Sequence, residues 1–296
     1  MRYSIENELI RLTVDSVGAE AVSVIDKKTG TEMLWCGDPD VWSRHSPVLF
    51  PYTGRLTGGC FTVGSETYQG GQHGFARDFE HVLKEQTSTS LTLELSSSEK
   101  TRALWPFDFT LTARYTLDGA RVHHAVAVKN TGSEDMQFGL GFHPAYAVPF
   151  DDAHTYTDYD LVFDQLESPL CISTAAGGLT CGGSDYYLAR NTTRIPLTDT
   201  LFASDSHCMT GLRSKTLSLV ERDTGRSIRV NIDGFPFVLI WSTPTLPMRF
   251  VCIEPWHSLP GEKDGPSAWA DKPCAARLTP GEAWETTLET TFERVK

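Results

Sequence analysis

Two residues set among Gly, Pro and aromatics combine a titratable side chain with a stiff backbone. They are His143, in Gly141-Phe142-His143-Pro144-Ala145-Tyr146, and Glu254, in Cys252-Ile253-Glu254-Pro255-Trp256. Each precedes a proline. The residue before proline is driven into extended backbone, so each side chain is presented from a strand end or a stiff loop. A held histidine and a held carboxylate are the usual parts of proton transfer at neutral pH. The apolar neighbours Cys252, Ile253 and Trp256 would strip water from Glu254 and raise its pKa toward that of a useful base. A third region sets further polar groups among Gly, Pro and aromatics: Ser46 to Leu56, which contains Arg55, followed by Gln72-His73-Gly74-Phe75-Ala76-Arg77-Asp78. Such residues also serve as structural hydrogen bonders, surface ion pairs and core fillers. Glu254 fits that alternative least, because a buried carboxylate without a partner is costly.

Other chemistries lack their motifs. The chain has no G-x-x-x-x-G-K-[ST], no G-x-G-x-x-G after a strand, no H-E-x-x-H and no G-x-S-x-G. Nucleotide-driven chemistry and nucleophile-elbow hydrolysis therefore have no support. Ser97-Ser98-Glu99-Lys100 matches S-x-x-K formally and reads as a polar turn. His123 and His124 are adjacent in a strand-like run, so they point to opposite faces and make a poor shared metal site; one surface and one half-buried histidine are expected. No metal and no cofactor are expected.

The 296 residues carry 26 Lys plus Arg against 38 Asp plus Glu, a formal charge of −12. An acidic surface repels phosphate backbones and anionic lipid, so nucleic-acid and membrane partners are not expected. The N-terminus is too polar for a secretory signal, and the seven scattered cysteines include no C-x-x-C. That pattern predicts reduced thiols and a cytoplasmic setting.

The elements that hold these residues read as strands. From Phe107 to Leu117 every second residue is hydrophobic, the period of a strand with one face on a core. Similar runs are Leu9 to Val14, Ala21 to Ile25, Leu91 to Leu95, Val122 to Val128, Leu217 to Val220, Ile228 to Ile232 and Leu288 to Phe292. Asp118-Gly119, Asn130-Thr131-Gly132 and Asp223-Thr224-Gly225 fall between such runs, as hairpin turns do. No amphipathic helix of three turns stands out. The pattern predicts an all-β sandwich or barrel, one domain spanning residues 1–296, with long loops from residue 145 to 205.

Five segments in order resemble the aldose 1-epimerase (galactose mutarotase-like) family, in its LacX-like branch. They are Leu49-Phe50-Pro51-x-x-Gly54-Arg55, Gln72-His73-Gly74-Phe75-Ala76-Arg77, Phe142-His143-Pro144, Phe235-Pro236-Phe237 with Ile240-Trp241-Ser242, and Ile253-Glu254-Pro255-Trp256. The resemblance implies a β-supersandwich with a sugar site in an open cleft on one sheet. It implies Glu254 as general base and His143 as general acid, with His73, Arg55 and Arg77 binding the sugar. Trp256, Trp241 and Phe75 are the aromatics expected to face it. Asp205 is the nearest candidate for a further sugar-binding aspartate. The family continues after this last motif with glycine and aspartate; here His257-Ser258-Leu259-Pro260-Gly261 follows. The implied reaction interconverts the α and β anomers of a hexose by ring opening and closure, without cofactor. It predicts a bell-shaped pH profile. A hexose-phosphate epimerase using Arg55 and Arg77, and a non-turnover sugar-binding or regulatory protein, are the alternatives. A small-molecule sugar partner and a monomer or homodimer are expected.

Overall fold

The computed structural model describes residues 1–175 and 177–293. Two large antiparallel sheets dominate. One has nine strands, in the order Thr192–Pro196, Tyr159–Glu167, Thr216–Glu221, Ser227–Asn231, Ala283–Glu293, Arg121–Asn130, Phe109–Asp118, Ser90–Ser96 and Val82–Gln86. The other has eight. Seven run in the order Tyr186–Tyr187, Leu170–Ile172, His207–Thr210, Phe237–Trp241, Phe250–Trp256, Gly141–Phe142 and Val48–Leu49, and Ala145–Ala147 also pairs with Phe250–Trp256. A three-stranded sheet of Arg2–Glu6, Ile10–Asp15 and Glu20–Asp26 and two small ribbons complete the strands.

Alternation explains how the two large sheets meet. Phe109, Leu111, Ala113, Tyr115 and Leu117 are all buried, as are Val122, His124, Val126 and Val128 on the paired strand. Their face meets the second sheet through His124 on Phe142, Tyr146 on Phe292 and a 3.1 Å hydrogen bond between Tyr146 Oη and Thr290 Oγ1. One continuous core runs from Ile5 to Phe292. This is a β-sandwich, as the sequence predicts.

Some local expectations change. Asn130-Thr131-Gly132 is not a hairpin: the strand after it, Met136–Phe138, pairs with Ala276–Leu278 instead. Asn130 accepts from Gly132 N–H and donates to the carbonyls of Glu134 and Leu278, which tie the chain to that partner. Ser97 to Lys100 is not a turn but the start of the α-helix Glu99–Leu104, which Ser98 and Thr101 cap reciprocally. Between residues 145 and 205 lies a true sheet strand, Tyr159–Glu167, whose Tyr159, Leu161 and Phe163 are buried. His124 is buried rather than half-buried, stacked on Tyr115 at 4.0 Å. His123 faces Glu289 at 3.5 Å. Among the described residues no helix is long and apolar enough to cross a membrane.

Candidate active site

Strand Phe250–Trp256 is buried along its whole length, because both its faces are covered. Val251 and Ile253 point into the inter-sheet core. Cys252, Glu254 and Trp256 point the other way: Glu254 and Trp256 line a cleft on the outer face of the sheet, and Cys252 packs beside it with Trp35, Ala145 and Phe250. Register then sets the histidine. Gly141 pairs with Trp256 and Ala145 with Cys252 on the same antiparallel strand, so His143, midway, falls across from Glu254. Neither Pro144 nor Pro255 can donate to a ladder, and pairing is interrupted from Phe142 to Pro144. The His143 N–H donates to Pro47 O at 3.1 Å instead. The result is a His143 Nε2 to Glu254 Oε2 separation of 3.3 Å. Glu254 thus sits mid-strand, not at a strand end.

The pair is dry: His143 is 7% exposed and Glu254 2%. Burial, helped by the Arg77 charge, pushes His143 down to about 3. Burial, helped by the charge of Asp205, pushes Glu254 well above the usual carboxylate range. In such a site the pair favours its net-neutral state, with one proton held between the two groups. That proton can serve whichever partner the substrate asks to act as acid.

His73 is fixed by an unusual backbone. It has φ +68° and is followed by Gly74 at +69°. A Cβ on Gly74 would lie 2.1 Å from Phe50 O, so only glycine fits this approach. The His73 N–H donates to Gly54 O at 2.7 Å, and His73 Nδ1 accepts from Gly54 N–H at 3.0 Å. Since an amide N–H only donates, Nε2 carries the ring proton. The His73 ring meets His143 at 5.4 Å and Trp256 at 5.6 Å, edge-on. Burial first, and then the neighbouring His143, Arg77 and Arg55, hold His73 well below the usual histidine range.

Trp256 is buried on the floor, its indole N–H beside Glu254 but short of a full hydrogen bond. Gly141 makes room for it, since a Cβ there would meet Trp256 Cδ1 at 2.5 Å. Arg55 lines the rim, exposed. Arg77 Nη2 donates to Gln72 O at 2.7 Å, whereas its Nε is buried without a partner. Asp205 also lines the cleft, with φ +85° and its carboxylate accepting from Ser206 N–H at 2.9 Å. The whole cleft holds about 360 Å³, within the range of small-ligand sites. Phe75 is the exception among the expected residues. It is buried with Phe50, Phe79 and Phe109 in the main core and does not line the cleft. In regular extended backbone residues 73 and 75 would share a face; the two left-handed residues, His73 and Gly74, break that regularity and turn Phe75 into the core.

Sequence reasoning missed Trp42. Its ring stacks on His143 at 5.0 Å and 25°, and meets Trp241 edge-on at 5.4 Å. It lies in Asp40-Val41-Trp42-Ser43, which has no periodicity to mark it. Thr174, Gly177, Gly178 and Thr180 close another side of the cleft, so part of the 145–205 stretch borders the site. In place of the family's glycine and aspartate, His257 turns away to Thr286 Oγ1 at 2.8 Å, while Pro260 lines the cleft and packs on Gly54. A wider hollow of about 660 Å³ over Thr198, Asp199 and Arg222 has no comparable acid–base pair; its Arg222 is engaged by Asp160 at 2.9 Å.

Comparison with known proteins places the chain in a family and a fold. The family model for aldose 1-epimerase matches residues 1–290. Protein LacX of Lactococcus lactis subsp. lactis is 29% identical over 287 residues, 95% of each chain. The galactose mutarotase related enzyme from Lactobacillus acidophilus superimposes with TM-score 0.94 at 30% identity, covering 100% of this chain and 98% of its own. A galactose mutarotase-like protein from Lactobacillus casei ATCC 334 gives 0.90 at 27% identity, covering 99% and 100%. The fold is that of the galactose mutarotase-like proteins, and the chain belongs to the aldose 1-epimerase family.

Proposed function

We propose that the protein is a cofactor-independent mutarotase that interconverts the α and β anomers of a hexose. The observation that carries this is the His143–Glu254 pair, 3.3 Å apart, buried at the base of an open cleft. With the pair's shared proton moved onto His143, Glu254 takes the proton of the C1 hydroxyl while His143 protonates the ring oxygen. The C1–O5 bond breaks to give the aldehyde, the C1–C2 bond rotates, and the same two proton transfers run in reverse on the other face. Each well-placed acid or base contributes about 10²- to 10⁴-fold. His73, Arg55, Arg77 and Asp205 present donors and acceptors to the sugar hydroxyls. Trp256, Trp241 and Trp42 offer ring faces to its C–H surface.

The test is NMR saturation exchange between the anomers of glucose and galactose, with wild type and Glu254→Gln. Acceleration by wild type that falls at least about 10²-fold in the variant is expected. If Glu254→Gln binds sugar and no variant alters exchange, the protein is a sugar-binding module instead.

A second reading has its own observation. The buried, unpartnered Nε of Arg77, with Arg55 on the same rim, gives the cleft two cations suited to a phosphate. A phosphorylated hexose would then be preferred, and inorganic phosphate would inhibit. Equal rates on free and 6-phosphorylated hexose, without phosphate inhibition, would exclude it.

A further inference from the structure

Beneath the cleft floor lies a donor set that proton transfer does not use in full. A ring nitrogen of His143, the sulfur of Cys252 and a carboxylate oxygen of Glu254 all lie within 4.8 Å of one another. Cys252 and Glu254 share one face of strand Phe250–Trp256, and His143 enters from the neighbouring segment. All three are buried, and the His143 nitrogen nearest the carboxylate is Nε2, 3.3 Å from Glu254 Oε2. The Cys252 thiol has no part in the acid–base scheme.

We propose that His143, Cys252 and Glu254 form an inhibitory site for a thiophilic divalent cation, zinc foremost. One nitrogen, one sulfur and one oxygen are a donor set that zinc accepts, and the fourth position would face the cleft, open to water. Bond lengths of about 2.0–2.3 Å place the donors of a tetrahedral zinc roughly 3.3–3.7 Å apart. The His143–Glu254 separation is already 3.3 Å, and the sulfur needs to close in by about 1 Å at most. Binding removes two protons: the one on the Cys252 thiol and the one held between His143 and Glu254. Two anionic ligands then neutralise the dication, which suits a buried site. Magnesium and calcium require six or more oxygen ligands and are not accommodated. A second cluster, Asp151, His154 and Glu221, is already held by Arg226 and is the control site.

Cation binding is independent of the proposed function; inhibition rests on it, because the cation takes both proton-transfer groups. The test is titration of the metal-free protein with cobalt(II), followed by thiolate-to-cobalt charge-transfer absorption, and with zinc chloride by calorimetry. Wild type should bind one equivalent with the charge-transfer band, and magnesium should not compete. Cys252→Ser and Cys252→Ala should lose the band and bind zinc at least tenfold more weakly. Anomer exchange should fall with zinc occupancy and return with a chelator. No band in wild type, or zinc binding unchanged in both variants, would overturn the site. A band in a protein that turns over no sugar would leave the cation site standing and remove the mutarotase reading; exchange without a band would do the reverse.

Discussion

Trp42 offers the sharpest way to perturb the acid–base pair without touching it. His143 lies at about 3 against an ordinary histidine value of 6.5. Charging the buried ring is therefore disfavoured by several kcal/mol, since each pH unit of depression is worth about 1.4 kcal/mol. Burial is its first cause, and three rings supply much of the cover: Trp42 stacked at 5.0 Å, and His73 and Trp241 edge-on at 5.4 and 5.7 Å. Trp42→Ala opens one face of the imidazole to water. Returning about a third of that depression moves His143 up by about one pH unit, a tenfold change in its protonation equilibrium. The acid limb of kcat/KM reports the free enzyme's pair taking up a second proton. In wild type this limb falls well below 6.5, so the bell is broader than free groups would make it. In the variant the limb should move toward 6.5 by about one unit. The assay is kcat/KM for anomer exchange across pH, after subtraction of the spontaneous rate. A raised KM with an unmoved acid limb would mean that Trp42 only stacks on the sugar, and would refute the desolvation argument.

Two further predictions concern the frame around the site. His124 is buried, pushed down to about 3 chiefly by burial, and its Nε2 has no partner. A depressed folded pKa means that its share of stability is intact above 6.5 and is lost as pH falls toward 3, at about 1.4 kcal/mol per unit. His124→Phe keeps the stack on Tyr115, so urea melts should match wild type near pH 7 and favour the variant by about 3 kcal/mol near pH 4.5; parallel pH profiles would contradict this. Gly74→Ala forces a side chain into left-handed backbone and against the Phe50 carbonyl. It should cost about 2–4 kcal/mol in denaturant unfolding and weaken sugar binding through His73; an unchanged midpoint would show that this loop relaxes freely.

The sheet was legible where alternation ran long. Phe109–Asp118 and Arg121–Asn130 each bury every second residue, and the Asp118-Gly119 turn joins them. Tyr159–Glu167 was harder to see because its apolar alternation runs only from Tyr159 to Phe163, after which Asp164, Gln165 and Leu166 are exposed and the pairing register shifts. The helix at Glu99–Leu104 is too short to show a period, and only its Ser98–Thr101 cap marks it. Within the site, His143 and Glu254 were readable from the prolines that follow them. Trp42 was not, since stacking on a ring distant in sequence leaves no local trace. Phe75 misled because it shares a segment with His73, yet the left-handed backbone at His73 and Gly74 sends the two rings to opposite sides.

The acid–base pair is at bottom a consequence of strand register. Gly141 and Ala145 both pair with strand Phe250–Trp256, and the four-residue interval between them leaves His143 no place but opposite Glu254. The same register sends Val251 and Ile253 into the core and Cys252, Glu254 and Trp256 to the outer face, where Glu254 and Trp256 line the cleft. A slip of one residue would exchange these faces, burying the carboxylate in the inter-sheet core and exposing two aliphatic side chains. The large core that fixes the register therefore also fixes the 3.3 Å contact on which proton transfer depends. Burial of the pair and the cleft's three indole rings follow from the same placement, so the chemistry and the packing of this sheet are selected together rather than separately.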